Sequence, residues 1–250
     1  MSEIIFEHVT KTFNEQIALE DASFQIEKGE FVFVIGKSGA GKSTLLNLIT
    51  RRLEPTQGKI TVFDTDLACI DRKQLPYYRR KFGIMTPEIG MLKHMTVYDN
   101  IMLVMRAVGK SRGNAEKDIR KALGLVGLAG KASAFPEELS GGECARLLLA
   151  RAMVTDPEVL IADEPTANLD GDSAWDMMLL LKEIHRQGKT LIISSHAREL
   201  VTIMKKRVIT LVSGRIVADE KCAIYNQKAI DIFEERRILE ERSKNLLKKS

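Results

Sequence analysis

The sequence predicts an α/β fold with a parallel central sheet, because helical segments follow short strands that are apolar throughout. Three such strands are predicted at Phe31–Ile35, in the VLIAD stretch that ends at Asp163, and in the TLIISS stretch before His196. Strands of this kind are typical of positions buried on both faces of a sheet. Helices are expected over residues 43–52 and 173–186, which gives the alternation that an α/β fold requires.

Further elements are predicted around this layer. Residues 3–35 are expected to form short strands, and alternation of polar and apolar side chains in the first part, EIIFEHVTKTF, indicates one exposed face. The stretch from 53 to 85 is expected to be strand and turn, with a hairpin at KITVFDTDL. Residues 95–155 are predicted to be mostly helical, and RVITLVSGRIVADE is expected to form a final hairpin with a Ser-Gly turn.

Composition excludes several classes of protein. The 250 residues carry a net charge of +4, which is too small to indicate a nucleic-acid partner. The three cysteines are far apart and lack metal-ligand spacing, so we expect reduced thiols of a cytosolic protein. No run of 18 apolar residues occurs, so any attachment to a membrane is expected to depend on another chain.

The segment GKSGAGKS, residues 36–43, fits the pattern GxxxxGK[ST] of a phosphate-binding loop. It lies between a predicted strand and a predicted helix, the context that this loop requires. Glycines let the backbone N–H groups approach phosphate oxygens, and the following helix N-terminus favours an anion. Lys42 is then expected to reach the β- and γ-phosphates of ATP, and Ser43 to hold Mg²⁺.

Two carboxylates end the predicted strand VLIAD, about 120 residues after the loop. Asp163 is assigned to Mg²⁺, directly or through water, because a carboxylate oxygen suits this ion. Glu164 is assigned as the general base that polarises the attacking water. Alone, two acids after a strand would more often form a solvated turn, and it is the preceding phosphate loop that favours the catalytic interpretation.

The segment LSGGE, residues 139–143, resembles the signature of ATP-binding cassette (ABC) ATPases. The phosphate loop, LIADEP, the ANLD stretch that ends at Asp170, and His196 follow the family's order over residues 3 to about 225. The resemblance implies a P-loop NTPase of ABC cassette type. Its mixed sheet core would carry an antiparallel β subdomain and a helical signature subdomain at about 88–150. It further implies a nucleotide-binding domain over 1–222, followed by an amphipathic helical extension at 223–250.

The resemblance also implies roles for individual residues. Two cassettes of this family sandwich two ATP molecules, so that the signature of one chain faces the phosphate loop of the other. The residues expected to contact ATP are Phe13, Gly36, Lys37, Ser38, Gly39, Ala40, Gly41, Lys42, Ser43 and Thr44. Those expected to act across the dimer are Ser140, Gly141, Gly142, Glu143 and, in coupling the two sites, Asp170. His196 matches the switch histidine that contacts the γ-phosphate, whereas Phe13 matches the aromatic residue that stacks on adenine, with a core position as its alternative.

Within the family, the chain is most similar to bacterial cell-division cassettes, which pair with FtsX-type integral membrane subunits. The stretches that carry this similarity include LPYYRRKFG, TVYDNI and KKRVITLVSGRIVADE. The resemblance implies an ATP-dependent homodimer, attached through its partner to the cytoplasmic face of the inner membrane, that controls cell-wall hydrolysis. Lipoprotein-release and macrolide-type exporters share several stretches, so an exporter ATPase is the alternative function. A catalytically inactive nucleotide-binding scaffold is a further hypothesis.

The sequence departs from the family at the loop after RRKFG, where Pro87 takes the place of the usual Gln. Proline has no side-chain donor and stiffens a loop that is expected to move. Either water fills the metal shell there, or Glu88 substitutes, or hydrolysis is slow. We therefore expect an ATPase that is slow without its membrane partner. Cys144 also stands where Gln is usual in the signature, which alters a helix surface near the nucleotide.

Two further regions are candidates for partner contact. The resemblance implies that the region around Leu92 forms a groove for a helix of the membrane subunit. Met91, Leu92 and Met95 are the residues expected to contact that helix, since methionine adapts to irregular partners. For Met102 and Met105, a place in the core of the helical subdomain is at least as well supported. In the extension, Tyr225, Ile232, Leu239 and Leu246 recur every seven residues. That helix could pack on its own domain, lie on a membrane surface or contact a second copy.

Overall fold

The computed structural model describes residues 2–86 and 90–221. These residues form two compact units. The first unit combines residues 2–71 with residues 194–221, and the second runs from Arg72 to Ile193. In this part of the chain, none of the helices is both long enough and apolar enough to cross a membrane.

Strands dominate the two ends of the described chain, and helices dominate its middle. The strands are β1 (Ser2–Phe13), β2 (Gln16–Glu27), β3 (Phe31–Ile35), β4 (Gln57–Val62), β5 (Thr65–Asp66), β6 (Phe82–Met85), β7 (Val159–Asp163), β8 (Thr190–Ser195), β9 (Arg207–Val212) and β10 (Arg215–Glu220). The α-helices are α1 (Lys42–Ile49), α2 (Leu75–Arg79), α3 (Val97–Ala107), α4 (Arg112–Leu125), α5 (Gly141–Met153), α6 (Gly171–Arg186) and α7 (Arg198–Met204).

The first unit contains a four-stranded antiparallel sheet in the order β2-β1-β4-β5. The prediction of short strands here is wrong, because β1 and β2 have 12 residues each. Irregular register allows this length: the pairing shifts between Phe6 and Val9, and His8 and Asp21 have φ angles of 51° and 47°. Such bulges interrupt the alternation of side chains while the strand continues.

The first unit also contains β10, β9 and β3, which lie side by side in that order. β10 pairs antiparallel with β9, and β9 pairs parallel with β3, so the arrangement is mixed. All five residues of β3 are buried, as the apolar run predicts. The turn between β9 and β10 has φ angles of 46° at Ser213 and 81° at Gly214. Positive φ at both central residues is the geometry of a tight hairpin turn, which confirms the predicted Ser-Gly turn.

The second unit contains β8, β7 and β6 as neighbouring strands, with β6 and β7 parallel. Helices α3, α4 and α5 contact one another in this unit. Met102 and Met105 are buried in α3, so the core interpretation of these two methionines is confirmed. The short helix α2 was not predicted, because five residues are too few to show a helical period. Strand β8 carries the chain back to the first unit.

Candidate nucleotide site

The phosphate loop connects β3 to α1 in the first unit. Lys37, Ser38 and Gly39 form its exposed crest. The side chain of Lys42 is nearly buried, and its Nζ donates to the carbonyl oxygens of Gly36 at 2.8 Å and Lys37 at 3.2 Å. These bonds hold the ammonium group against the loop. Gly41 is the N-cap residue of α1 and has no side chain that could cap the helix. The helix N-terminus can therefore face an anion.

Two glycines of the loop are required by close backbone contacts. A Cβ atom at Gly41 would lie 2.5 Å from the carbonyl oxygen of Ala18, and one at Gly36 would lie 2.5 Å from that of Leu211. The backbone N–H of Gly214 donates to the carbonyl oxygen of Ala40 at 2.9 Å. A cavity lined by residues 37–40 and 211–213 lies at this contact. The β9–β10 turn thus supports the loop, a role that sequence analysis missed although it found the turn.

Phe13 and His196 also belong to the first unit. Phe13 is the last residue of β1, and its side chain is 42% exposed. The structure therefore excludes the core position that was the alternative for this ring. The ammonium of Lys11 lies 5.0 Å from the ring centroid, so the ring already faces a cation. His196 directly follows β8 and is exposed.

The two predicted acids lie together in the second unit. Asp163 is the last residue of β7, and both acids are half-buried. Glu164 has a φ of 52°, a left-handed conformation that is unfavourable for this residue type. The backbone N–H of Ala167 donates to the Glu164 carbonyl oxygen at 3.1 Å and closes a turn there. This turn directs the chain away from β7 immediately after the second carboxylate.

The signature serine directly precedes α5. Ser140 is the N-cap residue, and its Oγ accepts from the backbone N–H of Glu143 at 3.2 Å. The Glu143 carboxylate accepts in turn from the backbone N–H of Ser140 at 2.9 Å, which completes a capping box. Lys131 Nζ lies 2.7 Å from Glu143. The Ser140 hydroxyl and the Glu143 carboxylate thus lie together at the N-terminus of α5.

Asp170 is the N-cap residue of α6. Its carboxylate accepts from the backbone N–H of Ser173 at 2.9 Å and from the Ser173 hydroxyl at 2.8 Å. The backbone N–H bond, followed by the hydroxyl bond, lowers the pKa of Asp170 below its ordinary value. Sequence analysis assigned Asp170 to coupling between two cassettes, and the structure adds that this carboxylate also caps a helix of its own chain.

The structure also describes the segment that was predicted to contact a membrane subunit. Leu92 is 41% exposed, and Met91 and Met95 are half-exposed. Asn100 is 1% exposed and holds this segment on α3. Its Nδ2 contacts the carbonyl oxygens of Leu92, Met95 and Thr96 at 3.0–3.1 Å, and its Oδ1 accepts from the Leu92 N–H at 2.9 Å. Sequence analysis missed Asn100, because burial in a helix cannot be inferred from one polar residue.

Two predictions concern parts of the chain outside the described residues. Pro87 and Glu88, the departures in the loop after β6, lie in one gap. The amphipathic extension over 223–250 lies beyond the last described residue. The slow hydrolysis expected from Pro87 and the amphipathic helix over 223–250 both stay predictions.

Comparison with known proteins identifies the family. A model of the ABC transporter family matches residues 19–167, which is more than half of the chain. The cell division ATP-binding protein FtsE of Bacillus subtilis is 43% identical over 208 residues, which cover 83% of this chain and 91% of the relative. FtsE of Escherichia coli K12 is 38% identical over 214 residues, covering 85% and 96%.

The chain belongs to the FtsE branch of the ABC ATPases. Solved structures agree with this placement. A bacterial ABC transporter cassette solved as a dimer is 31% identical, with a TM-score of 0.78 over 87% of this chain and 98% of the other. A post-hydrolysis dimer of the same cassette, bound to ADP and phosphate, is 30% identical to this chain. Its TM-score is 0.77 over 87% of this chain and 98% of the other.

Membership of this branch confirms several predictions. The cassette fold, with a mixed sheet, an antiparallel sheet and helices, is that of an ABC P-loop NTPase. As an ABC ATPase of the FtsE branch, the chain binds and hydrolyses ATP in cell division. The similarity to division-type cassettes, which the sequence predicts, is confirmed over most of the chain.

Proposed function

We propose that the chain is the ATP-hydrolysing subunit of a membrane complex, in which two copies close on two ATP molecules. The observation that carries this proposal is the phosphate loop. Lys42 is bonded to carbonyl oxygens of that loop, and the N-terminus of α1 follows the loop directly. A dimeric cassette among the solved relatives supports the two-copy arrangement. ATP would join the copies, and hydrolysis would release them.

In this proposal, the loop residues 36–44 bind the phosphates and Phe13 stacks on adenine. The exposed ring of Phe13 is available for stacking. Ser140, Gly141 and Gly142 would face the γ-phosphate of the other copy. The hydroxyl of Ser140 and the N-terminus of α5 suit that charge. Glu143 orients Ser140 through the capping box.

Glu164 is proposed as the general base. Its carboxylate would accept a proton from a water molecule whose oxygen attacks the γ-phosphorus, while the bond to the β-phosphate oxygen breaks. The products are ADP and inorganic phosphate. His196 would contact the γ-phosphate and order the water. The left-handed backbone of Glu164 is a constraint of the kind that is found at functional sites.

Mg²⁺ fits the donors that the chain offers. Ser43 supplies a hydroxyl and Asp163 a carboxylate, and oxygen ligands of this kind suit this ion. Among the residues that the structure describes, no group of three or more His, Cys, Asp and Glu is placed to hold a metal. This agrees with the usual mode of Mg²⁺, which is bound by one or two carboxylates together with substrate phosphates. When bound, the ion would neutralise charge on the phosphates.

The partner is proposed to be an FtsX-type integral membrane subunit, which would place the chain at the cytoplasmic face of the inner membrane. The name shared by the relatives, cell division ATP-binding protein, supports this choice over an exporter. The exposed segment around Leu92, which hydrogen bonds from Asn100 hold on α3, would contact the membrane subunit. The ATP cycle would then transmit a signal through the partner to cell-wall hydrolases.

The activity is tested by measuring phosphate release from the wild-type protein, Glu164→Gln and Lys42→Ala. We expect Glu164→Gln to reduce turnover by about 10²- to 10⁴-fold while ATP binding is retained, because only the general base is removed. Lys42→Ala is expected to lose ATP binding. Equal turnover in the wild type and Glu164→Gln would contradict the assignment and support an inactive scaffold.

The partner is tested by isolating tagged Glu164→Gln with ATP from solubilised membranes and identifying the bound chains by mass spectrometry. An FtsX-type subunit is the expected result. Lipoprotein carriers or export subunits would instead support the exporter function, and a set of soluble proteins alone would contradict attachment to a membrane. Adding the purified partner to the ATPase assay also tests whether the chain is slow without it.

A further inference from the structure

Ser173 joins the N-termini of two helices in the second unit. It is the third residue of α6, and both its N–H and its hydroxyl donate to the carboxylate of Asp170. Its side chain also faces Gly142, the second residue of α5. A Cβ atom at Gly142 would lie 2.7 Å from Ser173 Oγ and 3.0 Å from Ser173 Cβ. The start of the signature helix therefore lies directly against the start of α6.

This contact explains the glycine at position 142 in terms of packing. The φ angle of Gly142 lies outside the left-handed region, so the backbone conformation does not demand glycine there. By contrast, the neighbouring Gly141 would meet nothing within 4 Å if a Cβ were added. The space at position 142 is taken by the Ser173 side chain. Replacing Gly142 by a residue with a side chain must displace one helix start relative to the other.

The bonds to Asp170 fix the other side of Ser173. Each carboxylate oxygen of Asp170 accepts one hydrogen bond from Ser173, at 2.9 Å and 2.8 Å. The Ser173 hydroxyl is thus held in one direction by its bond to Asp170, while its oxygen is in contact range of position 142. A side chain that is hydrogen-bonded on one side and packed against a backbone on the other transmits a displacement of one neighbour to the other.

We propose that Ser173 is a positioning residue that keeps Asp170 and the signature residues 140–142 in a fixed mutual register. Both groups can then fit the second cassette at the same time when the dimer closes. The inference rests on the proposed ATP-dependent dimer, in which these residues act across the interface. Pre-alignment matters because groups held in register lose less freedom on closure.

The test uses the Glu164→Gln background, which would trap the dimer, and measures dimer mass by light scattering as ATP is increased. Ser173→Ala removes the hydroxyl and opens space beside Gly142. We expect the ATP concentration for half-maximal dimer formation to rise about tenfold, the effect of losing one hydrogen bond to a charged group. Ser173→Thr keeps the hydroxyl and is the matched control, with an expected change of less than about threefold.

Two readouts separate positioning from a merely structural role. Binding of a fluorescent ATP analogue to the monomer, at protein concentrations too low for dimers, is expected to be the same in Ser173→Ala. A structural role alone would lower the melting temperature and leave the ATP dependence of dimer formation unchanged well below that temperature. That result would overturn the inference.

A double-mutant cycle tests the contact itself. Gly142→Ala alone is expected to impair dimer formation and to lower the melting temperature, because its Cβ must displace Ser173. In the Ser173→Gly background, the obstructing Oγ and Cβ atoms are absent. Gly142→Ala should then have a smaller effect on both dimer formation and the melting temperature. Strict additivity would overturn the packing argument. If Glu164→Gln with intact Ser173 does not dimerise with ATP, the proposed function fails as well, whereas equal ATP dependence in Ser173→Ala overturns this inference alone.

Discussion

Glu143 illustrates how a single side chain arranges the signature. Its carboxylate closes the capping box with Ser140 and lies 2.7 Å from the ammonium of Lys131. These contacts lower the pKa of Glu143 from 4.5 to about 2. The hydrogen bond from Lys131 is the largest cause, and the hydrogen bond from the Ser140 N–H is the next. The charged carboxylate is thus the form that fits the folded chain.

This shift predicts how stability depends on pH. A carboxylate whose pKa is lower in the folded chain contributes stability above the unfolded value, and the contribution is lost as pH falls through the folded value. We expect the difference in free energy of unfolding between wild type and Glu143→Gln to be constant above about pH 5. It should then shrink between pH 4.5 and about 2. Urea titrations at a series of pH values measure it.

Lys131→Met provides the control for this pH dependence. It removes the largest cause of the lowered pKa, so the contribution of Glu143 should be smaller throughout and fully lost at a higher pH. The difference in free energy of unfolding between wild type and Glu143→Gln could instead stay constant down to pH 3. That result would show that the Glu143 carboxylate is not bonded as described.

At the scale of elements, the β9–β10 hairpin connects a charged network to the phosphate loop. Arg207, 9% exposed at the start of β9, binds Asp219 of β10 through two bonds of 2.7 Å. It also donates to Glu30 at 2.9 Å and to the carbonyl oxygen of Gln25 at 2.7 Å. The bonds to Asp219 raise the pKa of Arg207 further above its ordinary value. The hairpin turn then supports the loop through Gly214.

We predict that Arg207→Met lowers the free energy of unfolding by about 1–3 kcal/mol, because the nearly buried guanidinium makes charge-assisted bonds to Glu30 and Asp219, while solvent partly screens the exposed Asp219. Arg215→Met is the matched control on the same hairpin. Arg215 lies 2.7 Å from Glu20 but is about a third exposed, so solvent screens its ion pair and about 1 kcal/mol or less is expected. Urea unfolding of both variants measures the difference, and equal losses would contradict the role of burial.

At the scale of the whole molecule, the predicted site residues are divided between the two units. The phosphate loop, Phe13 and His196 belong to the first unit, whereas the two acids, the signature and Asp170 belong to the second. A ligand that binds only the folded chain stabilises it in proportion to the logarithm of its concentration. Binding of ATP to this chain should therefore be visible in its thermal stability.

We predict that Mg²⁺ and ATP, at about a hundred times the dissociation constant, stabilise Glu164→Gln by about 2.7 kcal/mol. For a chain of this length, the melting temperature should rise by roughly 5–10 °C. Lys42→Ala within the same background should show almost no rise, because the loop has lost its ammonium group. Thermal scans with ATP, and with AMP as the ligand control, measure the shift. A rise of the same size in Lys42→Ala would place ATP elsewhere.

The sequence by itself determined the features that depend on neighbouring residues. The buried strand β3, the phosphate loop and the Ser-Gly turn are each defined by a few consecutive residues with strong conformational preferences. The signature and the two acids could be found for the same reason, since each is a short motif in a fixed order. The family was therefore predictable from these motifs alone, as were the candidate site residues.

Only the tertiary structure decided which distant residues meet. It showed that Gly41 lies against Ala18, that Gly142 lies against Ser173, and that Asn100 holds the segment around Leu92. It also showed that bulges extend β1 and β2 beyond the predicted length. The physical reason is that these contacts depend on the path of the chain through space, whereas the spacing of residues along the sequence records only local periods and turns.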